Sequence, residues 1–110
     1  MMFDDNLLFD KTLVFEENFK DFNDFYERTK EKIYNDVVDL FESIITKEKK
    51  EFNISLSGNI NDIFFKSHIN YGMSDIHLLN DVILPYFVEK EEYEKCEKIS
   101  IIYNKLKSIR

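Results

Sequence analysis

An α+β fold is what the sequence predicts, and three observations predict it. A long run of apolar residues recurs at spacings of three and four, a central stretch drops to a spacing of two, and the last third returns to helical spacing. The chain has 110 residues, enough for one domain with its own core and no disulfide or metal staple. Hydrophobic residues make up 44% and aromatic residues 15%, a load that disordered chains do not carry. One compact domain over residues 1–110 is therefore expected, with 1–17 as an arm or an edge strand.

The opening segment alternates the apolar runs Leu7-Leu8-Phe9 and Leu13-Val14-Phe15 with acids, and Thr12 to Phe15 has the composition of a strand. From Asp21 the pattern is helical: Phe22, Phe25, Tyr26, Thr29, Ile33, Val37, Leu40, Phe41 and Ile44 fall on one face. Asn18 or Asp21 can cap this long first helix, which should end near residue 46 in a lysine-rich stretch that suits its dipole. Phe52, Ile54 and Leu56 then alternate with polar residues, Gly58 to Asp62 reads as a turn region, and a second strand runs from Ile63 to Tyr71, which together make a central antiparallel hairpin. Ser74 or Asp75 marks a second helix whose apolar face is Ile76, Leu79, Val82, Ile83, Tyr86 and Phe87, kinked or broken at Pro85. A third starts near Glu91, with Tyr93, Cys96, Ile99, Tyr103, Leu106 and Ile109 on one side.

Composition narrows the function classes. The chain has no Ala and no Trp, so large side chains must fill the core and helices should sit toward the wide end of about 8–10 Å. Abundant Lys, Asn, Ile and Phe fit an AT-rich genome, that of a low-GC bacterium or of a phage or mobile element. The start lacks a positive n-region and no stretch approaches the roughly 18 apolar residues of a membrane span, so a cytoplasmic protein without membrane contact is expected. Cys96 is the single cysteine and fits a reducing compartment. The net charge of -7 argues against direct nucleic-acid binding, which needs clustered Lys and Arg. Residues 1–45 carry 12 acids and 5 bases, whereas 46–110 carry 10 of each, so the acidity lies in the N-terminal part.

Catalytic and cofactor signatures are sparse. Phosphate-cradling loops need close glycines because only bare backbone approaches a phosphate, and this chain has Gly58 and Gly72 alone. Ser57-Gly58 lacks the second small residue of a nucleophile elbow and reads as part of a hairpin turn. His68, His77 and Cys96 are not at metal-ligand spacing. Asp75-Ile76-His77 reads as a cap followed by a surface histidine. The arginines, Arg28 and Arg110, lie far in sequence from either histidine, so a small nuclease that pairs the two is not supported. No catalytic residue, metal or cofactor is expected.

Binding features are stronger. Leu7, Leu8 and Phe9 sit among acids near a chain end and could dock as apolar anchors. Leu8-Phe9 after Asp5-Asn6 resembles the peptides that dock on bacterial sliding clamps, without their usual leading Gln. Glu91 to Ile99 resembles the acidic-aromatic helix of the UVR motif, which implies helix-pair contact between proteins; its Leu-Arg-Asp continuation is replaced here by Ile99-Ser100-Ile101. On the first helix, Asp24, Glu27, Glu31, Asp36 and Asp39 form a candidate acidic face that could imitate a phosphate backbone. The expectation is a nonenzymatic protein-binding module that modulates a nucleic-acid-processing machine. A structural or assembly subunit, with homo-oligomerisation, is the alternative, and a small enzyme using His68 or His77 ranks last.

Overall fold

The computed structural model describes residues 10–47 and 49–109. Among them the elements are β1 (Lys11–Phe19), α1 (Phe22–Lys47), β2 (Glu51–Ile60), β3 (Ile63–Gly72), α2 (Leu84–Glu89) and α3 (Tyr93–Ile109). The strands form one sheet in the order β1-β2-β3, so the fold is mixed α and β as expected. A strand rather than the long helix leads, and β1 pairs parallel to β2. That pairing explains the length of α1: parallel neighbours need a crossover of a dozen or more residues, whereas antiparallel neighbours can be joined by two. Leu7, Leu8 and Phe9 lie outside the described residues.

The chain packs as two compact units. The first takes residues up to Asp36 together with Phe52–Asn70. In it, Leu13 and Phe19 of β1, Phe25 and Thr29 of α1, and Phe52, Ile54 and Leu56 of β2 are buried. Buried Thr29 satisfies its hydroxyl by donating to the Phe25 carbonyl at 2.7 Å. Four of the rings in this unit meet edge to face, with Phe25 in the middle: its centroid lies 5.5 Å from Phe15, 5.1 Å from Phe19 and 5.0 Å from Phe65. Phe22 and Tyr26, placed by periodicity on the apolar face, are instead exposed, because they precede and flank the turn that Phe25 seats on the sheet.

The hairpin turn is Asn61-Asp62, with φ of 51° and 64°, the positive pair that a two-residue type I′ turn demands. Asn61 donates to the Phe19 carbonyl at 2.7 Å, and Asn18 both donates to Asp62 Oδ1 at 2.9 Å and accepts the Asp62 N–H at 2.8 Å. Asn18 thus pins the hairpin tip instead of capping α1. Ser57-Gly58, expected in the turn, lies inside β2. Opposite it β1 bulges: Val14 pairs with Ser57 and Asn18 with Asn59, four steps against two. A Cβ at Gly58 would stand 3.1 Å from the Phe65 ring and 3.4 Å from the Phe15 carbonyl oxygen, so glycine is what lets Phe65 lie across the central strand.

The second unit takes Val37–Glu51 and Tyr71–Arg110. Val37, Val38, Phe41 and Ile44 of α1 are buried in it, as are Ile76, Leu79, Ile83 and Phe87, and Ile99, Ile102 and Leu106 of α3. The expected second helix follows a separate 3-10 turn at Met73–Asp75 and runs on from residue 77 through a π segment at Leu79–Ile83 into α2. Pro85 explains the π segment and does not break the helix, since it has no N–H to give and its ring would crowd the carbonyl four residues back. Leu84 accordingly donates five residues back, to the Leu79 carbonyl. Asp75 does not cap by position; its carboxylate reaches back to accept the Gly72 N–H at 2.8 Å. On α3 the apolar face is narrower than expected, with Ile102 in the core while Tyr93 and Ile109 are exposed.

After α2 the chain turns through Glu91 at a φ of 58°. Glu91 donates to the Val88 carbonyl at 3.0 Å and Glu92 to Phe87 at 3.1 Å, a Schellman stop whose left-handed position favours glycine. Glu91→Gly should therefore stabilise the protein by about 1 kcal/mol, read as a raised urea midpoint. Gly58→Val should do the opposite, costing about 1–3 kcal/mol by overpacking against Phe65, and an unchanged midpoint would show that the ring moves aside freely.

Candidate functional site

The acidic face of α1 is built by the cap of the helix upward. Asp21 Oδ1 accepts the Asp24 N–H at 2.8 Å, and Asp24 Oδ2 accepts the Lys20 N–H at 3.0 Å, which satisfies two backbone donors at the helix start. Arg28 Nη1 approaches Asp24 at 3.4 Å while its Nη2 meets Glu17 at 2.7 Å, and its guanidinium lies 4.9 Å from the Phe19 ring centre. Asp24 is thus a capping and pairing residue of the fold. Glu27 is matched by Lys30 at 3.0 Å. Asp39 is matched by Lys98 of α3 at 3.3 Å. Glu31 is exposed and also engaged in an interaction.

Asp36 corrects the expected surface. It is buried, because it lies on the side of α1 that the sheet unit covers, and its carboxylate is held by charge between Lys11 Nζ at 3.8 Å and Lys32 Nζ at 3.3 Å. Its Oδ2 makes no hydrogen bond. A partner cannot reach it. Of the five acids proposed for binding, Glu27, Glu31 and Asp39 stay exposed, and cations of the same chain stand beside at least two of them. A phosphate mimic needs a dense field of one sign, and local pairing thins that field here.

A different surface stands out at the hairpin end of the sheet unit. Phe22 is 68% exposed, Ile63 68% and Phe64 65%. Phe22 opens α1, and its ring lies 5.9 Å from Phe65. Ile63 and Phe64 open β3 immediately after the pinned turn. Strand alternation places Ile63 on the α1 side with Phe65 and Phe64 on the opposite side, so large apolar groups border the tip from both faces of the sheet. Hydropathy periodicity hid them: Phe22 matched the helical stripe and Ile63 and Phe64 matched a strand, and only the end of each element leaves them uncovered.

His68 is exposed on β3, and exposed His77 has Nδ1 3.1 Å from the Ser74 carbonyl. Cys96 is a half-buried free thiol on α3. Among the described residues, no three His, Cys, Asp or Glu side chains converge in a way that could hold a metal ion. No helix of the described residues is long and apolar enough to cross a membrane.

The Asp24 carboxyl has a pKa below its ordinary value, held there first by the Lys20 backbone hydrogen bond and then by Arg28, which together outweigh partial burial. A depressed carboxyl stabilises the fold above its unfolded value, about 3.9, and loses that contribution as pH falls through the lower folded value. Asp24→Asn should therefore lower the urea midpoint near neutral pH, and its difference from wild type should shrink as pH falls below about 4. No family model, curated protein or solved structure matches the chain.

Proposed function

We propose that this chain is a nonenzymatic protein-binding module whose contact is the apolar hairpin end. The observation that carries this reading is the exposure of Phe22, Ile63 and Phe64 around one pinned turn. Large aromatic and aliphatic side chains held on rigid elements are the material of interface anchors, and their burial in a partner offsets the loss of motion on binding. The Asn18–Asp62 hydrogen bonds and the Phe22–Phe65–Phe25 contacts hold the tip in one shape before a partner arrives.

The surplus of acids in residues 1–45 gives the module a preference for a basic partner, since like charges in an interface are costly and opposite ones steer the encounter. Nucleic-acid-processing machines present such basic surfaces, and modulation of one, in the manner of proteins that phages and mobile elements direct at a host, is the sharper form of the reading. In it the apolar tip supplies the affinity and the acids of α1 supply the selection.

Capture from lysate of a low-GC host separates the two contributions. A Phe22→Ser, Ile63→Ser and Phe64→Ser variant should lose the protein that wild type captures, while Glu27→Lys, Glu31→Lys and Asp39→Lys together should slow capture without abolishing it at moderate salt. If the acid variant alone loses the partner, the docking site is the charged face of α1 and the apolar tip is bystander surface.

A further inference from the structure

We propose that a second copy of this chain docks antiparallel on α3, along a two-fold axis passing Ile101. The second unit carries a cleft of about 280 Å³ between the end of α1 and α3, lined by Ile45, Glu94, Glu97, Ile101, Ile102 and Lys105. It lies just under the roughly 300–1,000 Å³ of small-molecule sites and is open, with Ile101 and the charged groups on its rim exposed. Side chains of another helix fit such a groove better than an enclosed ligand does.

The charges along this face say which helix. Glu94 and Glu97 stand at the start of α3 and Lys105 toward its end. None of the three has an ion-pair partner among the described residues, whereas Lys98 between them is already held by Asp39 at 3.3 Å and Glu42 at 3.6 Å. Burial pulls the Lys98 ammonium down, but the hydrogen bond and charge of Asp39 with the charge of Glu42 outweigh it and leave it more firmly protonated than an ordinary lysine. It is thus committed within the chain, and Glu94, Glu97 and Lys105 are the groups left for a partner.

Glu97 and Lys105 lie four residues to either side of Ile101, about 6 Å along the axis in each direction at 1.5 Å per residue. An antiparallel copy with Ile101 facing Ile101 of the second copy therefore sets Glu97 level with Lys105 of the second copy, and by symmetry Lys105 level with its Glu97. The apolar Ile101 of each copy then drops toward Ile45 and Ile102 of the other. A parallel arrangement would instead set Glu97 against Glu97 and Lys105 against Lys105, so the same residues exclude it. The net charge of -7 per chain opposes association, which leaves these local pairs to decide whether it occurs and in which register. The proposal involves none of the residues of the hairpin end and stands or falls separately from the partner reading above.

Charge exchange tests it, read by sedimentation equilibrium of the full chain at one ionic strength. Wild type should self-associate with concentration. Glu97→Lys alone and Lys105→Glu alone should each weaken the dimer about tenfold, as two attractions of the size of exposed pairs become two repulsions. The double variant Glu97→Lys with Lys105→Glu should restore it, because the swapped pairs match again. These side chains are exposed, and circular dichroism of each variant should stay as in wild type. A wild type that remains monomeric at millimolar concentration, single variants that associate as wild type does, or a double variant that fails to recover would each overturn the proposal.

Discussion

Phe25 is the side chain through which the first turns of α1 and the strands pack as one unit. Its ring stands edge-on to Phe15 and Phe19 from β1 and to Phe65 from β3, and such pairs add about 0.5–1.5 kcal/mol each beyond the area they bury. Because β1 and β2 run parallel, the chain has to cross over the sheet between them, and α1 is that crossover. The start of α1 can seat only where the outer strands offer rings to meet it. Gly58 in the central strand keeps the space open for Phe65, and the bulge in β1 sets the Phe15 carbonyl close beside it. A chain with no Ala reaches close packing here by meshing large rings around one absent side chain.

That arrangement also redistributes the charge. Burying one side of α1 takes Asp36 out of water and brings Lys11 and Lys32 to it, while the cap uses Asp21 and Asp24. Among the described residues, most acids of α1 stand in ion pairs and caps rather than as a strip of one sign. Large exposed apolar side chains are concentrated elsewhere, at the ends of elements whose middles are covered.

Two surfaces follow from two different physical causes. The hairpin end exposes rings because the sheet and α1 run out while the apolar pattern continues, and the turn beneath is locked by Asn18 and Asp62. The α3 face is instead nearly polar, with opposite charges symmetric about Ile101, and its specificity lies in spacing along a helix. Contact at the first would take much apolar area out of water; contact at the second would rest on exposed charges and on register.

Periodicity alone located the central hairpin and the helical spans around residues 22–47 and 93–109, because 3.6- and 2-residue repeats are imposed by local geometry that every apolar side chain in the span repeats. Pro85, read as a kink or break, is instead carried within a helix that loosens into a π segment before it. What the strand at Lys11–Phe19 would pair with, and that it would run parallel, could not be read locally, since pairing is set by partners about forty residues away. The candidate site divides in the same way. The acids of α1 were visible as composition, but their exposure depended on which side of the helix the sheet covers, which is why Asp36 is inside. Phe22 fell on a helical apolar stripe and Ile63 and Phe64 in a strand, and only tertiary structure decides whether the chain itself covers such side chains.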